Sequence, residues 1–420
     1  MKFEVGFGNR TEEAVIDESR TKVGFLMPNK VEHKGEEVDI IRTALENPIG
    51  ACRLRDYDLT GKSIAIVTSD ITRPMPTYKV MPYILDEIYA AGAEAENITL
   101  VFALGSHRPH TEEEMRHLAG ERAWREIRCE DSDIRDYVHM GETQNGTPVD
   151  ITRRVAEADF RLCIGNIEFH YFAGYSGGAK AILPGVATPA TIQKNHSLMV
   201  DEDACAGEIE KNPIRMDIEE GAAICGVDYI FNVVLDEHKK IVHAVAGDVT
   251  EAHREGCRFL DELYQTKFEE KADIVIVSQG GAPKDLNLYQ TQKALDNSKY
   301  AVKNGGIIIL VGSCREGLGN KNFEEWMLTA KTPGELINRI GYDFQLGGHK
   351  AAAIAMVLSK AEIYLVSELD EEFVKSIFMK PFRTLQEALD AALEKKGADA
   401  NVMIMPYGGS TLPKLKERQE

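Results

Sequence analysis

Short apolar runs alternate with amphipathic segments along this chain. Residues 61–70, 97–107 and 157–168 form apolar runs rich in β-branched side chains, which are typical of strands buried in a parallel sheet. Between the first two runs, residues 77–91 place apolar side chains at helical spacing, and the pattern stops at Gly92. Because strands and helices alternate, the sequence predicts an α/β fold with mainly parallel sheets.

The second half of the chain repeats this alternation after a change in composition. Residues 227–246 predict a hairpin that turns at 236–238, and residues 248–264 predict an amphipathic helix. The charged segment KFEEKAD at 267–273 follows, so we place a domain boundary near Lys267. Beyond it, the predicted strands are 274–278, 305–313, 363–369 and 402–406, and the predicted helices are 289–303, 384–395 and those within 322–358.

The length of the chain predicts two domains, because 420 residues exceed what a single hydrophobic core usually serves. We expect an N-terminal α/β domain at 1–267 and a Rossmann-like domain at 268–420, with a substrate cleft between them. Polar residues follow three strands of the first domain, namely Asp70, His107 and His170. Because ligands gather at the carboxyl ends of parallel strands, these three residues are expected to share a site.

The segment Gly165–Ala187, GNIEFHYFAGYSGGAKAILPGVA, combines histidine, aromatics, glycines and Lys180 with little charge. It differs from a nucleotide-binding P-loop, because Ala179 and Ala181 occupy the places of the required glycine and hydroxyl residue. The N–H groups around Ser176, Gly177 and Gly178 could still bind a phosphate. The alternatives are therefore an active-site loop and a buried structural loop.

Composition narrows the function classes further. A formal charge of −19 disfavours nucleic acid and anionic membranes as partners, and no stretch of the sequence approaches a transmembrane run. The seven cysteines are odd in number and never spaced as CxxC, so no cysteine-based zinc or iron–sulfur site is visible. These features predict a cytoplasmic protein with reduced thiols.

Several candidate residues have a structural alternative as well. A histidine at a strand end can accept and release protons near neutral pH, whereas His110 fits a position beside a Thr111 helix cap. Taken alone, His196 is an ordinary helix histidine. Arg73 suits a phosphate or carboxylate, with a rigid turn as its alternative. For Tyr289, Gln290 and Lys293, the alternative is a solvated helix face.

Five co-linear segments resemble the lactate racemase family of nickel-pincer enzymes. They are SDITRP at 69–74, GSHRPHT at 105–111, HYFAGYSGGAK at 170–180, the histidine at 196 and YQTQK at 289–293. They occur in the family's order and together cover most of the chain. The resemblance implies an isomerase that racemises or epimerises the C2 carbon of a 2-hydroxy acid.

The resemblance also implies roles for individual residues. Lys180 would carry a nickel-pincer nucleotide, a pyridinium bis-thiocarboxylate mononucleotide nickel cofactor, in covalent linkage, and His196 would be the protein's nickel ligand. His107 and His170 would be opposed acid/base catalysts, while hydride passes between substrate and cofactor. The remaining implied contacts are Asp70, Thr72, Arg73, Ser176, Gly177 and Gly178 for the cofactor, and Arg73, Tyr289, Gln290, Lys293 and His349 for the substrate.

The substrate expected is a hydroxy acid other than lactate. Family members place a tryptophan near the substrate, whereas the corresponding segment here reads QLGGHKAAA at 345–353, and Gly347 and Gly348 leave room beside His349. Expected partners are the small-molecule substrate and the enzymes that synthesise and deliver the cofactor, and homo-oligomerisation stays open. The alternatives are a divalent-metal hydrolase or lyase that uses the histidines, and a non-catalytic protein that binds a phosphate or nucleotide.

Overall fold

The structure, a computed structural model, describes residues 1–29, 35–236 and 238–416. Its strands are β1 (Lys2–Phe7), β2 (Arg10–Val15), β3 (Lys22–Phe25), β4 (Ile64–Ser69), β5 (Ile98–Ala103), β6 (Arg128–Asp131), β7 (Tyr137–Glu142), β8 (Pro148–Thr152), β9 (Phe160–Asn166), β10 (Phe169–His170), β11 (Gly174–Tyr175), β12 (Tyr229–Leu235), β13 (Ile241–Gly247), β14 (Gln265–Phe268), β15 (Ala272–Ser278), β16 (Val302–Val311), β17 (Ala361–Val366), β18 (Lys380–Phe382), β19 (Asn401–Met405) and β20 (Leu412–Leu415). Its α-helices are α1 (Glu37–Glu46), α2 (Thr77–Ala90), α3 (Glu112–Glu126), α4 (Arg153–Ala156), α5 (Pro189–His196), α6 (Pro213–Cys225), α7 (Glu251–Tyr264), α8 (Leu288–Ser298), α9 (Lys321–Thr329), α10 (Pro333–Ile340), α11 (Gly348–Leu358), α12 (Glu371–Ser376) and α13 (Leu385–Lys396).

The chain forms two compact units. One, called here the central unit, is Val31–Asp261, and the other, the terminal unit, combines Met1–Lys30 with Glu262–Glu420. This division differs from the predicted domains 1–267 and 268–420 at the N-terminus. Phe3, Val5 and Phe7 alternate along β1 and pack into the core of the terminal unit, and β3 pairs with β19. A pairing between the two ends of the chain leaves no local signal in the sequence.

The central unit contains a six-stranded sheet in the order β13-β12-β9-β4-β5-β6. Its pairs are parallel except for β12 and β13, which form the predicted hairpin. Glu237, in the predicted turn of that hairpin, lies outside the described residues. Apolar side chains of β4, β5, β9 and α2 share one core, as the alternating pattern predicted.

The terminal unit contains an all-parallel sheet in the order β18-β17-β16-β15-β19-β3. Successive strands from β15 to β18 run to one side, and β19 then joins the other side of β15. This reversal of strand order is typical of doubly wound, Rossmann-like sheets. The predicted α/β class with mainly parallel sheets is therefore confirmed in both units.

A search of the described helices for membrane spans finds none that is both long and apolar enough to cross a bilayer.

Candidate active site

Three parallel strands of the central unit end side by side. β4 pairs with β5 on one edge and with β9 on the other. Asp70 follows β4 directly, His107 lies shortly after β5, and His170 closes the short strand β10 that follows β9. Asp70 and His107 thus follow neighbouring strands of one sheet, and His170 belongs to the short hairpin of β10 and β11 after β9, so a site shared by all three stays a prediction.

Asp70 pairs with His107 at this edge. His107 Nδ1 lies 3.0 Å from Asp70 Oδ2, and the Thr72 hydroxyl donates to Asp70 Oδ1 over 2.9 Å. Burial alone would raise the pKa of Asp70, but the hydrogen bond and charge of His107, with Thr72 and Arg73, hold that pKa below its usual value. A carboxylate at Nδ1 places the ring proton there and leaves the Nε2 lone pair to accept another. The side chains of Asp70 and Thr72 thus contact a histidine, a role that the resemblance did not assign to them.

His110 has a different environment from His107. Its Nδ1 lies 2.6 Å from Asp131 Oδ1, its Nε2 accepts the Ile71 N–H over 3.0 Å, and its side chain is fully buried. Thr111 and Glu114 form the predicted capping box at the start of α3. With both ring nitrogens occupied, His110 holds two loops together, which supports the structural alternative.

The ring of Phe172 lies at the centre of the remaining candidates. Its centroid is 4.5 Å from the His170 ring, 4.9 Å from the His196 ring and 5.8 Å from Lys180 Nζ. Phe172 is itself buried. The Phe172 ring therefore lies close to Lys180, the predicted cofactor anchor, to His170, a predicted base, and to His196, the predicted metal ligand.

Lys180 and His170 lie in a cationic environment. Burial, followed by the charges of Arg215 and Arg73, lowers the pKa of Lys180 well below its usual value. Burial and the charges of Lys180 and Arg73 likewise lower the pKa of His170, although both side chains keep some contact with solvent. Within the described residues, the Lys180 amine makes no hydrogen bond. These conditions favour a neutral, nucleophilic amine and a neutral imidazole.

The Ser-Gly-Gly turn is shaped by its packing. Gly177 and Gly178 have φ of +75° and +56°, in the left-handed region, which glycine adopts more readily than other residues do. A Cβ on Gly177 would lie 2.7 Å from Asn232 Oδ1, and one on Gly178 would lie 2.8 Å from His253 Cδ2. Two buried residues that the sequence analysis did not single out, Asn232 and His253, therefore require glycine at these positions.

The N–H groups of Ser176 and Gly178 in this turn have partners within the fold. Ser176 N–H donates to the Glu168 carbonyl over 2.8 Å, and Gly178 N–H donates to Asn232 Oδ1 over 2.7 Å. His253 Nε2 also lies 2.8 Å from the Ser176 carbonyl. In this arrangement the N–H groups of Ser176 and Gly178 are not available to a phosphate.

Arg215 supports the same loop from α6. It is fully buried, and its guanidinium donates to the carbonyls of Ala173 and Tyr175. Burial lowers the pKa of Arg215, and its Nη1 lies 4.0 Å from Glu219 Oε1. Among the described residues, Arg215 Nη1 has no hydrogen-bond partner. A buried cation with an unused donor is an attractive position for an anionic group.

The predicted substrate residues of the terminal unit lie at the start of α8. Gln290 and Lys293 are exposed on this helix, as the alternative of a solvated face expected, and their role in binding substrate stays a prediction. The sequence analysis missed Lys350, whose amine donates to the Tyr289 carbonyl over 2.6 Å and lies 4.1 Å from the Tyr289 ring centroid. Burial, together with the charge of Lys293, lowers the pKa of Lys350 to about 7.

The glycines before His349 do not leave the room expected of them. A Cβ on Gly348 would lie 2.4 Å from the indole of Trp326, and one on Gly347 would lie 2.3 Å from Asn320 Oδ1. The space beside them is filled by these neighbours, which corrects the argument from glycine size. His349 is buried, and burial lowers its pKa to about 4, so its imidazole is neutral at pH 7.

Metal-binding side chains do not form clusters of three in the part of the chain that the structure describes. No group of three or more His, Cys, Asp or Glu residues there comes close enough together to hold a metal ion. A hydrolase or lyase metal bound by His107, His170 and His196 together is therefore not supported by the donor set.

Two family models match this chain. Residues 7–207 match the lactate racemase N-terminal domain, and residues 268–412 match the lactate racemase C-terminal domain. A lactate racemase of Thermoanaerobacterium thermosaccharolyticum is 37% identical over 94% of both chains. A lactate racemase of Lactiplantibacillus plantarum is 32% identical over 97% of this chain and 98% of the relative.

Two solved structures share the fold of this chain. The lactate racemase apoprotein of Thermoanaerobacterium thermosaccharolyticum superposes with a TM-score of 0.86 at 33% identity, covering 99% of this chain and all of that one. A Thermotoga maritima protein shares the fold with a TM-score of 0.61 at 17% identity, over 91% of this chain and 98% of that one.

Proposed function

The chain belongs to the lactate racemase family, and from that premise we propose that it is a 2-hydroxyacid racemase or epimerase with a nickel-pincer nucleotide on Lys180. Its curated relatives are named as racemases, so the enzyme class is isomerase. The observation that carries the finer proposal is the arrangement of His170, Lys180 and His196 around the Phe172 ring.

The residues around Lys180 fit such a cofactor in charge and reactivity. A lysine whose pKa is lowered well below its usual value presents the neutral amine that forms an amide-type bond. The buried Arg215 with its unused donor and the exposed Arg73 suit anionic groups of a nucleotide. Imidazole is a suitable nickel ligand, which supports His196 as the protein's contribution to the metal. When bound, the cofactor supplies an acceptor and donor of hydride for the C2 hydrogen.

The two histidines move protons at the substrate hydroxyl in this proposal. His107 accepts a proton at Nε2, and the Asp70 carboxylate at Nδ1 stabilises the resulting imidazolium. Burial and the charge of Arg73 lower the pKa of His170 even when Lys180 is neutral, so its imidazole is also in the neutral form that can accept a proton. Each base serves one enantiomer in one direction and returns a proton in the other.

The two rival functions have less support. The described residues assemble no group of metal ligands for a hydrolase or lyase. In the turn that a simple phosphate-binding protein would use, the N–H groups of Ser176 and Gly178 are bonded to Glu168 and Asn232.

Metal analysis and intact mass separate all three functions. The protein should be isolated from a host that makes the nickel-pincer cofactor. Nickel together with a lysine-linked mass increase supports the proposal, whereas loosely held zinc would indicate the hydrolase or lyase. An unmodified mass with reversible anion binding would indicate the binding protein.

Replacing Lys293 with alanine should weaken turnover while leaving the cofactor in place. We propose that Lys293, with Tyr289 and Gln290, binds the substrate carboxylate, and losing one charge-assisted hydrogen bond costs about 1.5–3 kcal/mol, or roughly 10–150-fold. Initial racemisation rates and nickel content measure the two effects. The matched control is Lys321→Ala, an exposed lysine at the start of α9. Loss of nickel in the Lys293 variant would instead assign this lysine to the cofactor.

A hydroxy acid with a polar side chain should reach a higher kcat/KM than lactate. Because Gly347 and Gly348 are filled by neighbours, the support for this choice is the neutral His349 imidazole, a polar group in the segment where an indole is expected. A panel of single-enantiomer 2-hydroxy acids with methyl, branched, aromatic and polar side chains tests it. Lactate as the best substrate would defeat the prediction.

Location and partners belong to the same proposal. All seven cysteines are free, which suits a reducing cytoplasm. Cofactor-synthesis enzymes are proposed as the partners that deliver the nucleotide.

A further inference from the structure

The orientation of the His196 ring is set by its neighbour in sequence. His196 is the last residue of α5 and is 6% exposed, and its Nδ1 lies 2.9 Å from the side-chain oxygen of Asn195. The Phe172 ring meets the imidazole edge to face at an interplanar angle of 67°. Asn195 is thus a polar contact of the His196 ring, and Phe172 is an aromatic contact.

The Asn195 amide can take only one orientation in its surroundings. Its nitrogen lies 2.8 Å from Asp217 Oδ2 and 3.3 Å from the Ile214 carbonyl, both of which are acceptors. The amide nitrogen must therefore face these two groups, and the amide oxygen faces His196. Because that oxygen only accepts, His196 Nδ1 must carry the ring proton, and the lone pair of the neutral imidazole is on Nε2.

Asp217 anchors this arrangement from α6. The carboxylate is completely buried, and Thr147 Oγ1 shares Oδ2 with Asn195 at 2.8 Å. At Oδ1 it accepts from the Thr143 hydroxyl and, over 3.4 Å, from the Asn145 amide. Thr143 Oγ1 itself accepts the Thr147 N–H, so its own proton is directed at Asp217. In each of these hydrogen bonds Asp217 is the acceptor. The carboxylate therefore holds the Asn195 amide in place.

We propose that Asp217 and Asn195 are positioning residues that fix His196 as the Nδ1-protonated tautomer, with Nε2 as the metal-binding nitrogen. The inference rests on the proposed function for the metal, nickel, and for His196 as its ligand. Metal-binding histidines commonly donate their other ring N–H to a fixed acceptor, and loss of that acceptor typically weakens metal binding about 10–100-fold. His107 is outside this arrangement, since it is oriented by Asp70.

The first test uses the apoprotein and needs neither cofactor nor activity. Protein labelled with nitrogen-15 in histidine is compared by two-bond proton–nitrogen correlation at about pH 8, where an ordinary imidazole is neutral. The wild-type His196 signal, assigned by its loss in His196→Gln, should show the proton on Nδ1. Asn195→Ala should shift the population towards Nε2-protonated imidazole. A wild-type ring protonated on Nε2 would overturn the inference.

The second test measures nickel retention in protein loaded with the cofactor. Asn195→Ala and the shape-conserving Asp217→Asn should lose nickel to a chelator about 10–100-fold faster than wild type, with the Lys180 adduct mass unchanged. Asn145→Ala is the matched control, because it removes a bond to the same carboxylate without touching Asn195. Equal nickel retention in all four proteins would overturn the inference. A wild-type protein with neither adduct nor nickel would contradict the proposed function, and the tautomer would then decide the inference alone.

Discussion

Lys180→Ala protein from a cofactor-making host should carry no covalent adduct and no retained nickel. Burial, followed by the charges of Arg215 and Arg73, lowers the pKa of the Lys180 amine, so this amine is the nucleophile that the proposal needs. Alanine removes this nucleophile and leaves the Ser-Gly-Gly turn intact, because the packing of Asn232 and His253 against Gly177 and Gly178 does not involve residue 180. Intact-mass spectrometry and nickel analysis measure the outcome.

The matched control for this variant is Lys194→Ala. Lys194 is an exposed lysine on α5, two residues before His196, and should keep both the adduct and the nickel. An adduct of unchanged mass in Lys180→Ala would show that another residue is the anchor.

Alanine at either His107 or His170 should nearly abolish racemisation from both enantiomers. Each enantiomer needs one base to accept a proton and the other to return it, and loss of a general base typically costs about 10²–10⁴-fold. His139→Gln is the control, since His139 also pairs with an aspartate, Asp150, but is largely exposed. Turnover is followed by chiral chromatography from each pure enantiomer.

Retention of more than about a tenth of wild-type turnover in an alanine variant would exceed what loss of a general base allows. The residue concerned would then be excluded as an acid/base catalyst. Both variants should keep the Lys180 adduct, so a missing adduct would point to a cofactor role instead.

The sheet edge of the candidate site could be predicted from the sequence, because its signal is local. Continuous apolar runs identified β4, β5 and β9, and their order along the chain placed Asp70, His107 and His170 at strand ends. The pairing of Asp70 with His107 could not be predicted, because it depends on which strands lie next to each other.

The residues that support the loop were missed for a related reason. Arg215 and Asp217 lie on α6 at spacings that also include the buried Ile218 and Gly221. Charged residues on the apolar face of a helix were a usable signal of buried polar contacts. Their partners, Tyr175 and Asn195, are distant in sequence, so their identity required the fold.

The core that the N-terminal strands join could not be predicted from the sequence. The alternation of Phe3, Val5 and Phe7 predicts a strand but does not say which core it joins. The pairing of β3 with β19 joins residues from the two ends of the chain, and this placed Met1–Lys30 with the terminal unit.

The central claim, racemisation of a 2-hydroxy acid by hydride transfer, is tested most directly in deuterium oxide. Cofactor-loaded protein is incubated with each pure enantiomer of the best substrate, and the products are analysed by chiral chromatography and mass spectrometry. The account predicts that both enantiomers approach the same mixture with protium retained at C2, because hydride does not exchange with solvent. Absence of interconversion, or deuterium at C2 of the product enantiomer, would contradict it.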